Sequence, residues 1–289
     1  MKRFSLSIIP LCVAALSGAS QAQDETPVAE GPYIGQTLPG LMPELFAPGI
    51  VSTDSLEIEG VFAPGMKEFY FTRQVPGDRV NTHVVRYKDG AWYESVFGPR
   101  TGEVSISTDG NTMYLGNKYR ERIASGWSEE KSLGPLFDEF PVMRLTASTA
   151  NTYVFDERDE VGSIRYSRMV DGKREEPKVF STEINSGTFT GHPFIAPDES
   201  YIIWDSDREE GYGDSDLYIC FRQEDGSWGP AINMGEDINT EYEDAFGSVT
   251  PDGKFFFFHT VNLTEDRSGD FANIYWVDAQ VIENLRPKN

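Results

Sequence analysis

The sequence predicts an all-β protein, a five-bladed β-propeller of four-stranded antiparallel blades closed by an N-terminal strand. Three observations lead there. The stretch Thr190 to Glu241 holds four short strand-forming runs, the content of one propeller blade. A pattern of apolar run, tight turn and aromatic-rich run recurs along the chain. The last repeat lacks a fourth strand, which a segment near the other end of the chain is able to supply.

Taken in order, the chain opens with Lys2 and Arg3, an apolar run from Phe4 to Leu16, and the small-residue segment Ser17 to Ala22. This reads as a cleavable signal peptide over residues 1–22 and implies a periplasmic or secreted location. Cys12 falls inside the apolar run, and Ile9-Pro10-Leu11 before it lacks the small residues of a lipoprotein signal, so no lipid anchor is expected. Residues 23–40 are rich in Pro, Gly and polar residues and read as an exposed leader. The propeller is assigned to residues 41–289.

The repeated hairpins are GVFAPGMKEFYF from Gly60, EVSISTDGNTMYL from Glu103, LTASTANTYVF from Leu145, PFIAPDESYIIW from Pro193 and GSVTPDGKFFFF from Gly247. Each joins two strands by a turn whose Gly, Asn or Asp tolerates positive φ. With Pro64, Thr108, Thr149, Pro197 and Pro251 as equivalent positions, the spacings are 44, 41, 48 and 54. Third runs follow at His83 to Tyr87, Ser163 to Ser167, Leu217 to Phe221 and Asn273 to Val277, whereas Tyr119 to Ala124 makes a poor strand. Trp92, Trp127 and Trp228 mark outer edges, where a large ring covers the neighbouring strand. Pro43 precedes Pro64 by the same 21 residues that separate Pro230 from Pro251, so the segment from Met42 is expected to pair with the strand at Asn273 to Val277. A six-bladed ring is the alternative.

Composition narrows the function. The formal net charge is −22, and loss of Lys2 and Arg3 makes it more negative still. Such a surface repels nucleic acid and anionic lipid, so neither nucleic-acid binding nor membrane insertion is expected. Cys220 is the one cysteine after the signal segment and is expected to be a buried, unreactive thiol. No cysteine pairs, no Gly-x-Ser-x-Gly elbow and no phosphate-binding loop occur, which removes structural zinc, serine-esterase and nucleotide chemistry as sequence-based readings.

The Pro-Asp-Gly turns, the Asp205-Ser206-Asp207-Arg208 loop before Asp216-Leu217-Tyr218, and the Asp225-Gly226-x-Trp228 edge resemble the WD40-like propeller repeat known as PD40. That repeat occurs in TolB-like periplasmic proteins and in OmpA-associated proteins. The resemblance covers most of residues 41–289 and is strongest over Thr190 to Glu241. It implies a propeller with a periplasmic or secreted life and no single activity, because the fold hosts scaffolds, binders, hydrolases and lyases. TolB carries a further N-terminal domain for which this chain has no room, so a Tol role is not expected.

Five residues before each equivalent turn position stand Glu59, Glu103, Arg144, His192 and Phe246, with Asp244 two places earlier on the same strand face. These are expected to converge at one mouth of the channel. Carboxyls, an imidazole and a guanidinium suit acid/base work on a polar substrate, with Glu59, Glu103 and His192 as catalytic groups and Arg144 and Asp244 binding the ligand. Asp156 and His259 occupy the place of Asp205 at the ends of their second strands and are expected to ring the same entrance. The alternating carboxylates from Asp205 to Asp216 suit Ca²⁺, with Asp205, Asp207 and Asp214 as ligands, although the spacing departs from the EF-hand and a repeat turn needs no metal. No other cofactor is expected. The sequence therefore points to a monomer that binds a polar small molecule or glycan at the channel mouth. The alternatives are a glycoside hydrolase or polysaccharide lyase acting on an anionic glycan, and an envelope scaffold with a protein partner.

Overall fold

The computed structural model describes residues 26–264 and 269–288. The signal peptide expected over residues 1–22 lies outside the described residues. Each expected hairpin is present, and each opens an antiparallel meander. The first meander comprises Leu56–Phe62, Glu68–Gln74, Asn81–Lys88 and Ala91–Pro99. The next comprises Val104–Ile106, Thr112–Leu115 and Lys118–Ile123, with Gly126–Trp127 and Lys131–Ser132 both paired to the third strand. Then follow Val142–Ala147, Tyr153–Glu157, Ile164–Ser167 and Lys178–Val179. A further meander runs Phe189–Ile195, Tyr201–Asp207, Asp216–Phe221 and Ile232–Asn233. The last contains Glu243–Val249, Phe255–Asn262 and Phe271–Asp278, after which Gln280–Leu285 forms a short helix.

The segment at Lys118–Ile123, a poor strand by sequence, pairs in register with Thr112–Leu115. Its charged residues are exposed or half-buried in ion pairs, Arg120 with Glu130 and Arg122 with Glu68 of the first meander, which is why it lacks an apolar signature.

The apolar cores lie between one meander and the next. Val61, Tyr70 and Val84 pack on Val104, Met113 and Leu115. Val154 and Ile164 pack on Ile202, Trp204 and Cys220. Ile203 and Leu217 pack on Phe256, Phe258 and Val277. Sheets stacked face to face in chain order make this a propeller-type β fold. Cys220 is fully buried, and burial pushes its thiol up to about 12, as an unreactive core residue requires.

The N-terminal segment belongs to the fold. Glu44–Leu45 pairs antiparallel with Trp276 and Tyr275, as the 21-residue spacing predicts. Phe46 is wholly buried, with ring centroids 4.7 Å from Phe69, 4.7 Å from Phe257 and 5.1 Å from Trp276. Residues 26–40, expected as an exposed leader, also dock. Ala29–Glu30 pairs with Trp92 and Ala91, Trp92 donates its indole N–H to Gly31 O at 2.7 Å, and Ile34 is buried. The Pro and Gly content had masked two anchors, Tyr33 and Ile34, whose apolar bodies fill the gap beside Phe62, Phe255 and Trp276.

Phe46→Ala is expected to lower stability by about 3–5 kcal/mol, measured by urea unfolding, because the ring leaves a cavity among aromatic side chains that have no freedom to collapse. A loss within 1 kcal/mol, of the order of an exposed site, would show that the segment is not part of the core.

Candidate functional site

The start of the inner strand is irregular in most of the meanders. Register shifts fall between Ile58 and Val61, Val142 and Leu145, Gly191 and Phe194, and Ala245 and Ser248. Glu59, His192 and Phe246, three of the five repeat-equivalent residues, sit there with φ of 64°, 47° and 61°. This is left-handed backbone that side-chain-bearing residues avoid, at about 1–3 kcal/mol each. The bulge turns each amide out of its ladder, and a side chain from the preceding meander accepts the N–H instead. Asp156 Oδ2 accepts from His192 N at 2.7 Å, Asp205 Oδ1 from Phe246 N at 3.1 Å, and His259 Nδ1 from Glu59 N at 3.2 Å. Asp156 also accepts from Arg144 N at 2.7 Å.

These straps bring most of the expected residues together. Glu59, Glu103, His192 and His259 line a cleft of about 450 Å³, with Arg100, Glu243 and an apolar wall that includes Ile58, Val80, Val261 and Leu263. Arg100 spans the two glutamates. Its Nη2 reaches Glu59 Oε1 and, at 3.1 Å, Glu103 Oε1, while Nε lies 3.0 Å from Glu59. Thr72 completes the Glu59 carboxylate with a 2.6 Å hydrogen bond. Burial works against the Arg100 charge, but Glu59 and Glu103 raise its pKa above the ordinary arginine value.

Glu103 differs from Glu59. Its Oε2 is buried without a hydrogen-bond partner. Burial, with Glu59 and Asp156 nearby, outweighs His192 and Arg100 and pushes its carboxyl up to about 7. His192 holds Asp205 at 3.0 Å through Nδ1 and lies 3.7 Å from Glu103 through Nε2. Burial opposes its charge, yet Asp205 and Glu103 prevail and raise it well above 6.5. His259 goes the other way. Burial and the neighbouring His192 charge drive it down to about 3, which agrees with its Nδ1 acting as an acceptor and places its proton on Nε2. One cleft thus holds a carboxyl that titrates near neutral pH, a neutral imidazole and an imidazolium.

Three expectations need correction. Arg144 is buried but does not line this cleft. Its Nη1 donates to His192 O at 2.9 Å and Gly247 O at 3.1 Å, and Phe246 covers its guanidinium at 3.6 Å. Asp244 turns away as well, because period-two alternation fails at the left-handed Phe246. It binds Thr240 and Thr260 and anchors the connector, as Glu57 binds Thr53 in the first meander. Burial raises its carboxyl to about 6. The proposed Ca²⁺ ligands do not converge: Asp205 is committed to His192 and the Phe246 amide, Asp207 to Thr188, and Asp214 lies exposed beside Glu243. The loop folds instead around Asp216, which accepts from Tyr212 N and Asn233 Nδ2. Among the described residues, no group of three or more His, Cys, Asp or Glu side chains is placed to hold a metal ion.

Sequence reasoning missed Arg100 and Glu243. The available signal was chemical: two glutamates at one mouth call for a counter-cation, and Arg100 is the basic residue that leads into the Glu103 strand. His83, in the third strand of the first meander, pairs with Glu94 at 3.0 Å and does not line the cleft.

No family model matches the chain, and no curated protein matches it. Solved structures with similar folds include TolB from Acinetobacter baumannii at 11% identity and TM-score 0.46, covering 78% of this chain and 57% of that one. They also include an endo-arabinase from Bacteroides thetaiotaomicron at 14% and 0.48, covering 82% and 95%. An α-L-arabinofuranosidase catalytic domain from Coprinopsis cinerea matches at 9% and 0.44, covering 87% and 94%. The chain thus spans little more than half the length of the Acinetobacter TolB. Likeness at this level leaves the activity to be argued from the site.

Glu103 takes up its proton more readily folded than unfolded, so between about pH 4.5 and 7 the folded state holds more protons and this group's contribution falls as pH rises. Glu103→Gln keeps the neutral shape and removes that titration. Its stability relative to the parent should grow across this window, by up to about 3 kcal/mol, in urea unfolding at pH 5 and pH 8. A difference that ignores pH would refute a protonated Glu103. Arg100→Met leaves two buried carboxylates without their cation and should cost about 3–5 kcal/mol by the same method.

Proposed function

We propose that the chain is a secreted or periplasmic five-bladed propeller, closed by the Glu44–Leu45 strand, that binds a neutral polyhydroxylated ligand in the Glu103 cleft. A glycan or another cell-envelope component fits that description. The observation that carries the reading is the partnerless Glu103 Oε2, a buried polar atom on a cleft floor where a ligand hydroxyl would satisfy it. His259, protonated at Nε2, adds a donor, and the wall of Ile58, Val80, Val261 and Leu263 suits the C–H face of a sugar ring. An anionic glycan is less well served. Arg144 is elsewhere, Arg100 is already engaged by two carboxylates, and Glu59 and Glu243 oppose a negative ligand.

A second reading, hydrolysis of a glycosidic bond, is favoured by the proton that Glu103 keeps near neutral pH. In it, Glu103 gives that proton to the leaving oxygen as the bond to the anomeric carbon breaks; water then adds at that carbon and its surplus proton returns to the Glu103 carboxylate. Glu59, held in place by Arg100 and Thr72, faces the positive charge that develops.

Thermal denaturation against neutral and uronate-containing oligosaccharides tests both. We expect a rise in melting temperature with a neutral oligosaccharide, lost in Glu103→Gln and His192→Ala. Product analysis of the stabilising ligand then separates a binder from a hydrolase. No shift with any ligand would sink both readings and leave the envelope scaffold.

A further inference from the structure

A second cavity, of about 340 Å³, lies at the far ends of the same inner strands. Its rim is formed by the repeat-equivalent turn positions Pro64, Thr108, Thr149, Pro197 and Pro251, and its wall by apolar groups such as Val61, Ile106, Phe194, Ile195 and Val249. Among the described residues its lining includes no Asp or Glu, and Arg144 is the one charged residue there. The hydroxyls of Ser105, Thr146 and Ser248 face this cavity but give their protons to Leu145 O, Pro193 O and Gly60 O of the next meander.

Arg144 is 1% exposed, and its Nε is buried with no hydrogen-bond partner. A guanidinium has five N–H donors, so two carbonyl contacts leave it under-satisfied. Glu103, Asp156, Asp205 and Glu59 support its charge but none hydrogen-bonds the guanidinium, so its unfilled donors beside an apolar well suit an anionic acceptor that brings an apolar body with it. A compact hydrophilic anion gains nothing from the wall, and an uncharged apolar molecule leaves the donors unmet. Asp109, Asp198 and Asp252 stand close to the rim but bind their own turns through Ser107, Ser200 and Thr250. At physiological salt, repulsion from the rest of the acidic surface is screened beyond about 8 Å.

We propose that this cavity is a binding site for a small amphipathic carboxylate, with its head group on Arg144 and a short alkyl chain against the apolar wall. The site opens apart from the Glu103 cleft, and the two share no lining residue.

Calorimetric titration in about 0.15 M salt with hexanoate, 1-hexanol and acetate tests the proposal. Hexanoate is expected to bind one to one, with 1-hexanol and acetate weaker by about tenfold or more, the scale of one charge-assisted contact. Thr149→Trp fills the mouth from an exposed rim position without touching the core and should abolish binding, as should Arg144→Met if it folds by circular dichroism. Leu263→Trp, at the exposed rim of the other cleft, should leave the hexanoate affinity within about twofold, so failure here and failure of the cleft reading are told apart. Equal affinity for hexanol, binding that survives Thr149→Trp, or no heat up to about 20 mM hexanoate would each overturn the proposal.

Discussion

The interior of this protein depends on how one class of amide is satisfied. Where an inner strand passes through a left-handed residue, the N–H leaves the ladder, and burying it without an acceptor costs about 1–3 kcal/mol. Asp156, Asp205 and His259 supply those acceptors from the meander before, so each strap is also a tie between neighbouring sheets. The equivalent position in the first meander, Thr72, braces the Glu59 side chain instead. The strained residues are held by groups that a purely apolar core would not contain.

Charge follows from that choice. Acceptors at the sheet ends are carboxylates or imidazole, so negative charge is drawn into the centre, and two arginines answer it differently. Arg100 lies on carboxylates at the cleft and is strengthened as a cation. Arg144 lies on carbonyls and an aromatic face, and burial lowers it to about 10. Phe246, flanked by Arg144, His192 and His259, is the layer between them. The two ends of one interior therefore differ in polarity and in sign.

Much of this was legible in the sequence because repeats convert position into location. The turn positions Pro64 to Pro251 gave the hairpins, and counting back five residues found Glu59, Glu103 and His192, which do meet. What failed was whatever broke the local period. Asp244 was assigned by strict alternation, which Phe246 interrupts with φ of 61°. Arg100 sits in a connector outside the repeat register, so no pattern pointed at it. Asp205 had the composition of a metal ligand, but its role is set by His192 and Phe246, which lie far from it in the chain or across a bulge. The leader around Tyr33 was hidden because docking by two side chains leaves no periodic trace.

The pairing of Glu44–Leu45 with Trp276 and Tyr275 also orders events in time. These are among the earliest and the last strands of the described chain, and their contact has close to the greatest sequence separation the fold offers. While the chain emerges from its N-terminus, Phe46 has no Trp276 to pack on and the first meander presents a bare aromatic face. Long-range closures of this kind are slow, and they leave edges exposed until they form. The aromatic face of the first meander is thus unprotected for as long as synthesis of residues up to 276 takes, and the period of greatest aggregation risk is set by chain delivery rather than by the stability of the finished fold.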